Sequence, residues 1–277
     1  MATFDFEEMF GDISADDDIG AMPIAQEPIT VLEESKPSKS LQAEHPVIVL
    51  CLDCSGSMAA TDSESGQSRI ELVKRYASDF VNTNLISGVD KEKVELCVVA
   101  FDSNVTILKD FAPMTEISSD FSGLQASGLT VTYSALTVAV NLARRRRNAL
   151  MEDGVSCFKP IIFVVTDGRP EGDDEMREAC HKVLAKYVDK GEDGKAKMRL
   201  IICGIPGCDM KEMNALCKDK QLIGLADVDA LDDAFKLLTA SVAAVSGSVV
   251  TDDVHLAFDK AKKLLVPNGQ GKTLNLN

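Results

Sequence analysis

Four stretches of the chain are apolar almost throughout: Val47–Leu52, Val94–Phe101 apart from Glu95, Ile161–Thr166 up to its closing threonine, and Leu200–Ile205. A strand with one wet face alternates apolar and polar residues. A continuous run marks a strand covered on both faces. Between these runs the apolar period changes from two to 3.6. Arg69–Ser87 places Ile70, Val73, Ala77, Phe80 and Val81 on one face, and Tyr133–Asn148 does the same with Ala135, Leu136, Ala139, Val140 and Leu142. Asp173–Lys190, Asp209–Lys218 and Asp229–Val245 read as further helices, the last two around a short strand at Leu222–Leu225. Asn104–Leu108 is short and rich in β-branched residues, as an edge strand pairing antiparallel with its neighbour would be. Buried strands alternating with helices predict an α/β fold: a doubly wound, Rossmann-like, mostly parallel sheet with one antiparallel edge strand and helices on both faces.

The pattern also divides the chain. Residues 1–45 have no sustained period and are expected to form an acidic, mostly disordered tail. Within it Phe6, Met9, Phe10 and Ile13 fall at i, i+3, i+4 and i+7 among acidic neighbours. That spacing gives a short amphipathic helix, suited to docking in a partner's groove. Residues 46–246 form the predicted α/β domain. Residues 247–277 hold a last amphipathic stretch through Val254, Phe258, Ala261 and Leu265, stopped by Pro267-Asn268-Gly269, and then a loose end.

Charge narrows the function classes. The net charge is −15, and residues 1–45 carry eleven acids against two lysines. Such a chain repels nucleic acid phosphates and anionic membranes. The basic run Arg144–Arg147 closes a predicted helix and reads as a solvated end that complements the helix dipole. No apolar run is long enough to span a bilayer, and the N-terminus has no basic and apolar leader pattern. Of eight cysteines, Cys51, Cys97 and Cys203 lie inside apolar runs, as free thiols in a reducing compartment do. The expected location is therefore cytoplasmic. Cys203, Cys208 and Cys217 are spaced unlike a zinc knuckle.

The chemistry sits at the strand ends. In open α/β sheets ligands bind beyond the carboxyl ends of the strands, where the strand order reverses. The first strand runs into Asp53-Cys54-Ser55-Gly56-Ser57, the central helix is preceded by Gly128-Leu129-Thr130, and the third strand ends in Thr166-Asp167-Gly168. Carboxylates and hydroxyls from three loops would converge. One glycine is too few for a dinucleotide turn. A serine nucleophile needs a base, and His45, His181 and His255 all fall elsewhere. All-oxygen donors suit a hard cation, Mg²⁺ or Mn²⁺.

"LDCSGSM", "ASGLT" and "VVTDGRP", in that order, resemble the D-x-S-x-S…T…D signature of the von Willebrand factor A (vWA) domain and its metal-ion-dependent adhesion site, over roughly Pro46 to Val245. The resemblance implies that Asp53, Ser55, Ser57, Thr130 and Asp167 hold the ion, with Thr132 as an alternative to Thr130. It also implies that an open coordination position takes an Asp or Glu of a protein partner. "LQASGLTVTYSALTVAV", "KPIIFVVTDGRPEGD" and "VDALDDAFKLLTASVAAVSGS" look most like bacterial intracellular vWA proteins of the tellurium-resistance type. That narrower likeness implies a metal-dependent scaffold in stress or phage defence, beside kinase-like or phosphatase-like proteins. Thr132-Tyr133-Ser134 departs from the small-residue-then-glycine turn frequent in the family, so the rim is expected to differ. Arg169 and Glu171 lie on that rim, Arg169 as a selectivity residue for the partner. The expected protein is an interaction module and not an enzyme. The alternative is a metal-dependent phosphohydrolase, for which the sequence offers neither a general base nor a cationic clamp. A further expectation is autoinhibition, with the acidic tail reaching into the adhesion site.

Overall fold

The computed structural model describes residues 45–62, 65–86, 88–192, 194–216, 221–224 and 230–246, together with the two-residue strands Thr3–Phe4 and Ile29–Thr30, which pair antiparallel. The amphipathic segment with Phe6, Met9, Phe10 and Ile13 lies outside the described residues, as does the stretch beyond Ser246.

The domain is built on six strands: β1 (Val47–Asp53), β2 (Glu95–Phe101), β3 (Val105–Pro113), β4 (Ile161–Thr166), β5 (Arg199–Gly204) and β6 (Gln221–Gly224). Their spatial order is β3-β2-β1-β4-β5-β6. Every neighbouring pair is parallel except β2 and β3. The chain winds outward from β1 to β2 and β3, returns to β4 on the other side of β1, and winds outward again. The order therefore reverses between β1 and β4.

All seven residues of β1 are buried because the strand has neighbours on both sides and helices on both faces. Its side chains alternate between two separate cores. Ile48, Leu50 and Leu52 join α1 (Arg69–Asn82) and α6 (Ala230–Ser246), where Phe235 packs against Tyr76, Phe80 and Phe163. Val47, Val49 and Cys51 join α3 (Thr132–Glu152) and α4 (Asp174–Tyr187). Two short helices, α2 (Gly88–Lys91) and α5 (Met210–Leu216), complete the described elements. This is the doubly wound, mostly parallel sheet that the apolar pattern predicts.

Several boundaries differ from the sequence expectation; helix α3, for one, runs to Glu152, four residues past the expected Asn148. Strand β3 runs to Pro113, five residues past the expected Leu108. As an edge strand it is only partly covered, so Lys109 and Asp110 sit in it without cost and conceal it from a search for apolar runs. Helix α1 stops at Asn82, and α4 stops at Tyr187. Helix α4 begins where Asp173 caps it, its carboxylate accepting the Met176 N–H at 2.8 Å.

The arginine run is not simply a solvated helix end. A helix turns by about 100° per residue, so four consecutive residues point four ways. Arg145 is exposed, while Arg146 is buried and donates to Glu95, Nη2 to Oε2 at 2.8 Å and Nε to Oε2 at 3.2 Å. Burial pushes the Glu95 carboxyl up, and the Arg146 guanidinium opposes that shift. Removing one member of such a pair strands a buried charge. Arg146→Ala is expected to cost about 3 kcal/mol in urea unfolding, whereas Glu95→Leu/Arg146→Leu costs clearly less. Equal losses in the two variants would contradict this account.

Candidate functional site

The site is built from three loops at the carboxyl end of the sheet, at the β1/β4 reversal. Asp53 is the last residue of β1 and completely buried. Strand parity turns it toward the α3 face, the same side as Val49 and Cys51. In register, Leu52 pairs with Val165, so Thr166 of β4 is the neighbour of Asp53. The Thr166 hydroxyl donates to Asp53 Oδ2 at 2.5 Å, and the Ser55 N–H donates to Oδ1 at 2.8 Å. The Gly168 N–H in turn donates to the Thr166 oxygen at 3.1 Å. One carboxylate thus organises the ends of two adjacent strands.

Past Asp53 the chain makes a turn of 3₁₀ helix over Gly56–Ala59. Ser55 and Ser57 share a hydrogen bond of 3.0 Å between hydroxyls, and Ser57 Oγ donates to Asp167 Oδ1 at 2.6 Å. Ser55 and Asp167 are buried, while Ser57 faces solvent.

The second loop is tied to the first through backbone. The Gly56 N–H donates to the Gly128 carbonyl at 3.1 Å, and the Ser127 N–H donates to the Cys54 carbonyl at 2.8 Å. Gly128 has φ +71°, and a Cβ there would lie 2.4 Å from Ser103 Oγ, so only glycine fits. This turn delivers Thr130 to Gly168. A Cβ on Gly168 would fall 2.7 Å from Thr130 Oγ1 and 2.4 Å from its methyl carbon. The Glu171 N–H closes the arrangement onto the Thr130 carbonyl at 2.8 Å. Asp53, Ser55, Ser57, Thr130 and Asp167 are therefore brought together. Thr132, the alternative to Thr130, is the first residue of α3; it is buried, and its hydroxyl has no hydrogen-bond partner among the described residues. Arg169 is exposed at the rim, next to Asp167.

Two residues escaped the sequence reading. Arg69, the first residue of α1, makes an ion pair with Asp167 through Nη1 and Oδ2, so the site does contain a guanidinium. Its contact with Asp167 spans 98 positions, and no local pattern signals it. Gly207 lies beside the same group: a Cβ there would sit 3.6 Å from both Arg69 Nη1 and the Asp167 carbonyl oxygen. The rim departure at Tyr133 also has a structural role. The buried Tyr133 ring packs under Gly172, and its hydroxyl donates to Glu212 Oε1 at 3.0 Å. Arg177 Nε donates to the same oxygen at 2.7 Å, which links α3, α4 and α5.

The donor chemistry is that of a hard cation. Burial pushes Asp53 from its usual 3.8 up to about 6; the Thr166 and Ser55 hydrogen bonds act against this, and nearby Asp167 adds to it. A buried carboxylate with a second carboxylate nearby calls for positive charge. The sulfurs are poorly placed to compete. Cys54 turns its thiol to the Leu52 carbonyl, and burial, followed by the two aspartates, pushes Cys208 up to about 12, so it stays protonated. Cys203 and Cys208 pack against opposite cores, unlike two ligands of one zinc, and Cys217 lies outside the described residues. No cluster of three or more His, Cys, Asp or Glu side chains occurs among the described residues, so two carboxylates with hydroxyls are the donor set available here. All seven described cysteines are free. No helix among the described residues is long and apolar enough to cross a membrane.

Comparisons with known proteins bear on the fold. No curated protein matches the sequence. The PilB minor pilin from Streptococcus sanguinis, solved as its D319A mutant, superposes with a TM-score of 0.52 at 11% identity, over 74% of this chain and 63% of the pilin. The pilus adhesin SpaC from Lactobacillus rhamnosus GG superposes with a TM-score of 0.53 at 14% identity, over 73% of this chain and 31% of the adhesin. At such identities the likeness concerns the fold, and the chain corresponds to less than two thirds of either protein. Residues 48–169 match the family model of the von Willebrand factor type A domain, a segment that begins in β1 and ends just past Asp167. With the sheet order and the three converging loops, this segment of the chain is similar to a von Willebrand factor type A domain.

Proposed function

We propose that this protein is a metal-dependent protein-interaction module. In this reading Asp53, Ser55, Ser57, Thr130 and Asp167 hold Mg²⁺ or Mn²⁺, and an Asp or Glu of a partner protein completes the coordination. The ion would supply a Lewis-acid position that a carboxylate can occupy. The observation that carries the proposal is the convergence of two buried carboxylates with the hydroxyls of Ser55, Ser57 and Thr130 at the β1/β4 reversal. Exposed Arg169 and half-exposed Leu129 flank the opening and would contact the partner.

The module is read as non-enzymatic. Among the described residues His45 lies at the far end of β1 and His181 lies on α4, so neither is offered to the hydroxyls as a base. The finer assignment rests on sequence resemblance: a cytoplasmic scaffold of the tellurium-resistance type, acting in stress or phage defence beside kinase-like or phosphatase-like proteins. The free cysteines are compatible with it. Docking by Phe6, Met9, Phe10 and Ile13 belongs to the same proposal. Occupation of the adhesion site by the acidic tail is a further part of the proposal: the chain enters the domain at His45, before β1, at the opposite end of the sheet, and a tail of that length can span the sheet when extended.

Calorimetric titration of the purified protein with Mg²⁺ or Mn²⁺ is expected to give one site, lost in Asp53→Ala and in Asp167→Ala. The same variants should lose Mg²⁺-dependent capture of the partner. Unchanged titration in both variants would rule the reading out.

The raised Asp53 carboxyl has a signed consequence for stability. As pH rises from about 4 to about 6 the unfolded chain gives up its Asp53 proton before the folded protein does, so metal-free stability falls across that window. A shift of about two pH units corresponds to about 3 kcal/mol. Asp53→Asn, with no charge to bury, is expected to melt higher than wild type at pH 7.5 in EDTA and to gain nothing from Mg²⁺. A lower melting temperature in EDTA would contradict the assignment.

Arg69 shares Asp167 with the ion in this reading, so its guanidinium competes for the same charge. Arg69→Ala is expected to tighten Mg²⁺ binding about threefold to tenfold, the scale of a partly exposed ion pair. Weaker binding in the variant would show instead that Arg69 orients Asp167 for the ion.

A further inference from the structure

A circuit of contacts begins and ends on the loop that carries Asp167. That loop, residues 167–173, runs from the end of β4 to the start of α4. Next to Asp167, the Gly168 carbonyl accepts the N–H of Asp209, in the turn after β5, at 3.4 Å. The Asp209 carboxylate accepts the N–H of Glu212, in α5, at 3.0 Å. The Glu212 carboxylate accepts the hydroxyl of Tyr133, the second residue of α3. The Tyr133 ring then returns to the loop, where a Cβ on Gly172 would lie 3.0 Å from its Cδ2.

This circuit decides where the loop lies. Arg169, Glu171, Gly172 and Asp173 are exposed, so the loop takes its position from its anchors and not from burial of its own side chains. Two anchors come from the start of α3: the Thr130 carbonyl, which accepts the Glu171 N–H at 2.8 Å, and the Tyr133 ring under Gly172. The ring is itself fixed. It is buried, and its hydroxyl needs an acceptor there. Arg177 of α4 grips the acceptor with two bonds, Nε to Glu212 Oε1 at 2.7 Å and Nη2 to Oε2 at 3.2 Å, a geometry that sets orientation as well as position. Chiefly these Arg177 bonds, together with that of Tyr133, hold the Glu212 carboxyl below the usual carboxylate range while burial opposes them, so the group stays an acceptor at neutral pH.

We infer that Tyr133 and Glu212 are positioning residues for the candidate metal site, a clasp that holds the 167–173 loop where Asp167 meets Ser57 and Thr130. The inference rests on the metal-centre reading and concerns how that same site is held. Neither side chain belongs to the proposed ligand set, and the two lie 79 positions apart. Through the clasp, the position of α5 bears on the affinity for the ion.

The test is calorimetric titration of the full chain with Mg²⁺, well below the melting temperature of every variant. Glu212→Ala removes the acceptor and is expected to weaken binding about threefold to tenfold. Tyr133→Phe keeps the ring and should weaken it about twofold to threefold; it carries the test if Glu212→Ala does not fold. The double variant should bind no more weakly than Glu212→Ala alone, because both changes act through one contact. Glu212→Gln keeps an acceptor for the phenol and loses only the charge, so its affinity should stay near that of wild type. A purely structural role would lower the melting temperature in EDTA and leave the Mg²⁺ affinity unchanged. The inference is overturned by wild-type affinity in Glu212→Ala and Tyr133→Phe, by additive losses in the double variant, or by Glu212→Gln binding as weakly as Glu212→Ala, since distant charge and not position would then be acting. A wild-type chain that takes up no Mg²⁺ removes the metal reading itself, and the clasp with it.

Discussion

The arrangement at the carboxyl end of the sheet depends on one buried carboxylate. Asp53 lies between two strands with a hydroxyl on one oxygen and a backbone N–H on the other, and both partners are neutral. These bonds orient the group without neutralising it, so burial leaves its proton held too tightly for an ordinary aspartate. Fold and function pull in different directions here. A core alone would place an apolar residue at that position. A carboxylate held there is useful to a site that needs a fixed negative charge with little water around it.

The surrounding loops follow from that requirement. Gly56, Gly128 and Gly168 are the points where one loop touches the next, and at Gly128 and Gly168 any side chain would strike Ser103 or Thr130. Close backbone approach lets three loops share a few hydroxyls and two carboxylates. Arg69 and Gly207 extend the contact to a fourth region, the turn after β5. The guanidinium balances Asp167 and leaves Asp53 to be balanced otherwise. The two aspartates of the motif, alike in sequence, are thus electrostatically different.

The two ends of the sheet have opposite characters for a topological reason. In a doubly wound sheet one end collects the loops that leave strands and the other collects the loops that enter them. Here the first end carries carboxylates and hydroxyls, and the second carries the lysines that precede β4 and β5 along with the ends of α3 and α4. The acidic tail joins the domain at the second end, through His45 beside Ser156 and Phe158.

The apolar runs by themselves determined the four central strands, because a strand buried on both faces is apolar almost throughout, with Asp53 and Glu95 as charged exceptions. Helical periodicity determined the faces of α1 and α3, and Asp53, Ser55, Ser57, Thr130 and Asp167 were legible because each sits at a recognisable strand or helix end. Other features were decided only in three dimensions. Strand β3 extends through Lys109 and Asp110 because an edge strand is only partly covered. Arg146 is buried while Arg145 is not because helix rotation sends one toward Glu95 and the other to water. The Arg69–Asp167 and Arg146–Glu95 pairs join residues separated by tens of positions, and charge at a distance leaves no periodic trace in a sequence. Burial pattern is a local property and can be read along the chain; electrostatic partnership belongs to the folded arrangement, which alone sets the distances that decide it.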